Sequence, residues 1–283
     1  MRSLNRGLRV FACALALGAS ACGAATAFAG KRSLPATSKS RIEINVLSAE
    51  LTLVGWDKDE LLIESKDGDA PEVRVNGDEL SLQSGPPNDA DLVIHYPAGA
   101  RLDARSMSGD VAARGLKGVA NVRSVSGGVR VEGAEGALRA SSVSGDVHVK
   151  NARAGARLHS VSGSVTVDGV MGELRARSVS GSVIAKDANV ASARLKSHSG
   201  EVVFQGSVAA AGSINVRNFS GNIELKLAIK DFRMRARSRT GDVRIQGLKA
   251  DTEGEHRARG QVGAGGPEIE LSNFSGNIRV GTP

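Results

Sequence analysis

The chain is poor in aromatic side chains, with one Trp, one Tyr and six Phe among 283 residues. That excludes a core of large rings, and it excludes a nucleic-acid surface of interleaved stacking platforms. Cysteine is equally scarce. Cys13 and Cys22 are the only two, and both fall in a segment that reads as a secretory signal. Arg2, Arg6 and Arg9 open that segment, residues 10–21 are apolar, and Ala27-Phe28-Ala29 supplies small residues before Gly30. With residues 1–29 removed, no thiol remains for a disulfide framework, a nucleophile or a thiolate metal site. The formal charge then falls from +7 to +4, with 34 basic residues against 30 acidic ones. So mild a balance points away from nucleic acid. A competing reading puts lipid on Cys22, but Ala19 stands where lipoprotein signals usually carry Leu. The remaining chain has no apolar run long enough to span a membrane as a helix. Nor does it show a sustained apolar stripe of helical period with caps, so helix is excluded as a main element.

What the chain does have is a repeated phrase. Ser-Val-Ser-Gly ends at Gly127, Gly145, Gly163 and Gly181, each 18 residues after the last. Ser106-Met107-Ser108-Gly109 precedes them by the same interval, and looser copies end at Gly200, Gly221, Gly241 and Gly276. Counting from each glycine as zero, positions +2 and +4 are apolar (Val129 and Val131, Val147 and Val149, Val165 and Val167), with Arg130, His148 and Thr166 between them. This is the period of a strand buried on one face. Position +6 is Gly115, Gly133, Asn151, Gly169, Asp187 and Gly206, the residue types that tolerate positive φ, so a corner ends the strand. A second alternating segment follows, with Val122, Ala140, Leu158 and Ala176 inward at −5.

An 18-residue unit cannot bury a core alone, but stacked units can. The predicted fold is all-β: a single-stranded β-solenoid, a right-handed parallel β-helix, with about 18 residues per coil. Residues 30–40 are expected to be a polar linker, residues 41–101 an irregular N-terminal β cap, and residues 102–283 the regular solenoid. Residues 250–260 are expected to loop out before a final coil beginning at Glu268.

Several of these features resemble a bacterial secreted family of β-helical domains known as "putative adhesins", whose function is not known. The carrying residues are Val54-Gly55-Trp56-Asp57, Tyr96-Pro97-Ala98-Gly99, the repeated Ser-x-Ser-Gly cores and Val262-Gly263-Ala264-Gly265-Gly266. The resemblance covers nearly all of residues 41–283. It implies a solenoid in the cell envelope, periplasmic or at the surface, and supplies no catalytic residue.

Three rows of side chains could carry function. The serines at −3 and −1 suit a tight corner, where hydroxyls satisfy turn backbone. A whole row of equivalent hydroxyls also argues against a single nucleophile. The second row is basic: Arg139, Arg157, Arg175, Arg194 and Arg235 at −6, with Arg123, Arg177, Lys196, Arg217 and Arg237 among those at −4. Stacked like charges are unfavourable unless anions sit against them, so these ten are the candidate ligand-binding residues. The third row, at −2, runs Val125, Val143, Val161, Val179, His198 and Phe219. Continued alternation makes it an exposed partner surface, whereas a bulge at the corner turns it into the core; the two remain open, with the core slightly favoured.

The five histidines fall at different repeat positions, so no metal site is expected, and no cofactor is implied. The expected role is a non-enzymatic envelope protein meeting anionic polysaccharide or an envelope protein. The rivals are an envelope-stress or surface-sensing module and a polysaccharide-cleaving enzyme, for which the acids at +1 are too dispersed.

Overall fold

In a computed structural model, described over residues 30–66, 70–84, 91–246, 251–252 and 255–282, every regular element is a strand. The signal segment and two short stretches of the expected N-terminal cap, 67–69 and 85–90, lie outside the described residues. Each repeat contributes two strands, one before its glycine and one after. In the Gly127 coil these are Ala120–Ser124 and Val129–Ala134. Each strand pairs in parallel with its counterpart 18 residues on, Val122 opposite Ala140 and Val129 opposite Val147. The molecule is a β-solenoid of stacked parallel coils.

The inward positions are the apolar ones. Val111, Val129, Val147, Val165, Val183 and Val202 at +2 are buried, as are Val131, Val149, Val167 and Phe204 at +4. One core runs from coil to coil without a break. The corner at +6 takes the left-handed conformation in Gly115, Gly133 and Gly169, and in Asn151 (φ 55°) and Asp187 (φ 47°), the only described non-glycine residues with positive φ. The phrase glycine is needed for a different reason. A Cβ on Gly145 would overlap the carbonyl oxygen of Gly127 in the coil before, and one on Gly163 would overlap that of Gly145.

The serines at −3 point inward and are buried. Three of them, Ser124, Ser142 and Ser160, close two gaps at once. Ser142 Oγ accepts from the Gly145 N–H of its own coil at 2.9 Å and donates to the Gly127 carbonyl of the preceding coil at 2.8 Å. Ser160 does the same between Gly163 and Gly145, and Ser124 between Gly127 and Gly109. Asn218 and Asn273 hold the place in later coils and donate to Gly200 and Gly221. With −3 inside, strict alternation puts −2 outside. Val125, Val143, Phe219 and Phe274 are 42%, 45%, 44% and 38% exposed, which settles the orientation of this row as surface rather than the slightly favoured core.

Both ends of the rod depart from chain order. The coil made by Arg41–Ser48 and Leu51–Trp56 lies between the coil of Glu79–Ser84 and Leu92–Pro97 and that of Arg101–Ser108 and Val111–Leu116. The last strands in sequence, Glu268–Ser275 and Ile278–Gly281, likewise slot between the Gly221 and Gly241 coils instead of ending the stack. Outside these coils the pairing turns antiparallel. Residues 30–40, expected to be a linker, carry the strand Lys31–Pro35, which pairs with Glu60–Ser65. Val73–Asn76 pairs with Glu79–Ser84. At the other end the segment expected to loop out holds Arg257–Val262, antiparallel to Phe232–Ser238. Polar composition concealed Lys31–Pro35 and Arg257–Val262, because the first has no buried residue and the second only Ala258.

Candidate functional site

The outward positions −6 and −4 flank the inward −5 residue on the same strand, so they form two parallel columns on one face. Register places Arg139, Arg157, Arg175 and Arg194 beside one another on successive coils. Strand spacing sets their backbones about 4.8 Å apart. In the neighbouring column Arg123 is followed by Ser141 and His159, then by Arg177, Lys196 and Arg217. The two short or compact side chains open a gap in a row of long cations. An open trough of about 560 Å³ results, with Arg123, Arg177 and Lys196 on one side, Arg139, Arg157, Arg175 and Arg194 on the other, and Ser141 and His159 in the gap.

The charge in the trough is only partly compensated. Glu173 sits 2.6 Å from Arg175 and 3.7 Å from Arg157, and the hydrogen bond from Arg175 holds its carboxyl below the usual range. These pairs are exposed and add little to stability. No ion pair reaches Arg139, Arg177, Arg194 or Lys196 among the described residues. Aligned guanidinium groups with spare donors are suited to carboxylate, phosphate or sulfate oxygens, which they can grip two at a time.

Seven of the ten residues named from sequence therefore share one trough. Arg217 follows Lys196 directly but lies outside the trough, and Arg235 and Arg237 stand apart because of the displaced last coil. After Arg194 the −6 column continues with Asn215 and Glu270 before Arg235, and after Arg217 the −4 column passes Ser272 before Arg237. The periodic pattern also missed Arg257 and Arg259, which the antiparallel cap sets beside Arg237 and Arg235.

The −2 row borders the −4 column. In register it runs Leu47, Met107, Val125, Val143, Val161, Val179, His198, Phe219, Phe274 and Arg239. His198 stacks on Phe219 and Phe219 on Phe274, each with ring centroids 4.6 Å apart and planes within 7° of parallel. The Arg239 guanidinium lies 4.9 Å over Phe274. Against this row and the basic column open further grooves, one of about 610 Å³ at Leu47, Met107 and Val125 and one of about 420 Å³ at Val179, His198 and Phe219.

Two of the four acids at +1 are bound into the turns, while Asp242 pairs with Arg244. Asp110 accepts from the Gly128 N–H and Asp146 from the Ser164 N–H, both at 2.7 Å. Among the described residues no group of three or more His, Cys, Asp or Glu could hold a metal ion.

Three solved structures align over most of the chain. A "putative cell adhesion protein" from Clostridium sporogenes is 12% identical, with 90% of this chain and 100% of that one covered and a TM-score of 0.26. A "putative adhesin" from Bacteroides fragilis is 12% identical, with 88% and 95% covered and a TM-score of 0.45. A "putative lipid binding protein" from Parabacteroides distasonis is 13% identical, with 90% and 98% covered and a TM-score of 0.43. Likeness at this level carries no argument about what the present chain does. No curated protein matches the sequence. A family model described as Toastrack DUF4097 matches residues 33–173 and again residues 138–281. Two overlapping matches thus span the whole stack of coils, and the chain belongs to the Toastrack family.

Proposed function

We propose that the protein is a non-enzymatic binding element of the bacterial envelope that holds anionic polymer along its basic face. The observation that carries this reading is the unbroken column Arg139, Arg157, Arg175 and Arg194, aligned by strand register and opposed by one carboxylate. Four stacked guanidinium groups repel one another at this spacing. A fold gains nothing from that alignment unless an anion relieves it. A linear polyanion lying along the rod would meet one cation per coil, so modest contacts would add through multivalency. Arg123, Arg177 and Lys196 would close the second side of the trough. Export is supported by the character of residues 1–29. A cleavage reaction gains no support from the +1 acids, of which Asp110 and Asp146 are engaged by turn backbone and Asp242 by Arg244.

The test is co-sedimentation of the protein with purified peptidoglycan and lipopolysaccharide at low and high salt. The variant R139S/R157S/R175S/R194S is run beside it. Pelleting that both high salt and the variant abolish supports the proposal; pelleting that the variant leaves intact refutes it.

A further inference from the structure

Of the nine large apolar side chains that are conspicuously exposed among the described residues, six stand in the −2 row: Leu47, Met107, Val125, Val143, Phe219 and Phe274. Val161 and Val179 continue the row half-buried, and His198 completes it. Eight coil steps of about 4.8 Å make this a rib roughly 40 Å long. Soluble surfaces scatter such residues singly; a contiguous strip marks a surface that is covered.

Charge selects what covers it. Two positions from the rib, on the same strands, runs the −4 column with Arg105, Arg123, Arg177, Lys196, Arg217 and Arg237. On the other side stand the −1 hydroxyls, followed by the +1 residues, whose carboxylates at Asp110 and Asp146 face turn N–H groups. An apolar strip with cations along its flank is what interfacial elements present to anionic lipid, with rings and aliphatic groups at the acyl boundary and cations at the phosphates. Stacking matters here. Because Phe219 is stacked between His198 and Phe274, and Arg239 lies over Phe274, the faces of the two Phe rings are occupied and their edges reach outward, so these two rings form no platform for sugars or bases. A row of edges inserts as an apolar blade.

We infer that the rib and the basic column together seat the rod lengthwise on an anionic phospholipid bilayer. The inference rests on the same basic face as the proposed function and goes beyond it, adding an anionic lipid surface as a partner of the rod. The full face would then hold phosphates at −4 and −6 while the −2 side chains enter the headgroup layer.

Vesicles of phosphatidylglycerol and phosphatidylcholine test it, with pure phosphatidylcholine as the uncharged control and soluble polygalacturonate as a polymer without acyl chains. The purified protein is expected to bind the anionic vesicles and not the neutral ones. V125S/V143S/F219S/F274S is expected to lower vesicle partitioning on the order of tenfold or more while keeping polygalacturonate binding and the melting temperature. A second variant reads insertion directly: the fluorescence of V143W should shift to the blue and be quenched by lipids brominated on their acyl chains. Vesicle binding that ignores the rib variant, or V143W emission unmoved by vesicles, overturns the inference. Polygalacturonate binding without vesicle binding overturns it and leaves the polymer reading standing; binding to neither anion sinks both. A dimer that the rib variant converts to monomer overturns it in favour of a second copy of the chain.

Discussion

Ser160→Ala tests whether the buried serine ladder, more than the apolar core alone, locks coil to coil. Ser160 is fully buried. Its Oγ accepts from the Gly163 N–H at 3.0 Å and donates to the Gly145 carbonyl at 2.9 Å. Removing the hydroxyl breaks both bonds and strands a buried donor and a buried acceptor that an alanine methyl cannot satisfy. Each stranded group costs about 1–3 kcal/mol, and the methyl recovers part of that through apolar contact, so the net loss should be about 3 kcal/mol. The control is Ser162→Ala, two residues along and exposed, which should stay within about 0.5 kcal/mol of the parent. Urea unfolding gives the global difference. Because coils couple mainly to their neighbours, amide exchange gives the local one, and protection should fall first at Gly163 and in the strands on either side. If Ser160→Ala and Ser162→Ala prove alike in both assays, the ladder is incidental and the reasoning fails.

Four further outcomes follow from the same geometry. Gly133 has φ +72° and open space around its missing Cβ, so Gly133→Ala isolates the backbone penalty, about 1–2 kcal/mol by urea unfolding. Tyr96 is buried with its hydroxyl unpartnered among the described residues, and that burial pushes the phenol pKa well up, so Tyr96→Phe should leave the melting temperature unchanged or raise it. His148 is held below the ordinary histidine value, first by burial and then by Lys150 and Arg130. Its folded form resists protonation, so its contribution is present above the unfolded value near 6.5 and is lost as pH falls toward and through the folded one; His148→Thr should flatten that part of a stability-against-pH curve. Truncation after Gln246 removes a coil from inside the stack, so protection in Phe232–Ser238 should vanish along with the deleted strands; native-like exchange there would refute the pairing.

The spacing of Gly127, Gly145, Gly163 and Gly181 is enough to identify a solenoid, and the corner at +6 is legible even where Asn151 and Asp187 replace glycine. The −2 row is harder, because hydropathy alone prefers Val143 inside and Ser142 outside. The structure reverses them. Ser142 is buried because two backbone groups of different coils meet at its hydroxyl, and alternation then forces Val143 out. A pattern of single residues does not report such a joint requirement. Neighbour order at the ends is hidden for another reason. Residues 41–56 and 268–281 alternate like any other coil, and nothing within them says which strands flank them. The basic columns were legible where successive coils are also successive in sequence, at Arg139 to Arg194, and misleading where they are not, at Arg235 and Arg237.

The displaced end coils connect stability with the binding face. A parallel stack leaves an unpaired row of N–H and C=O groups at each end, and a chain terminus left in the last coil would fray from it. Here the first coil in sequence and the last are each hydrogen-bonded on both sides, while antiparallel strands take the exposed edges. The exchange also keeps the surface rows in line. Phe274, from the final coil, stands between Phe219 and Arg239 and completes a stack that neighbouring repeats in sequence could not make alone. Strand register aligns every row at once, so the hydrogen-bond ladder that holds the rod together also fixes the spacing of its cations. A ligand that reads the spacing of Arg139, Arg157, Arg175 and Arg194 is therefore reading the backbone.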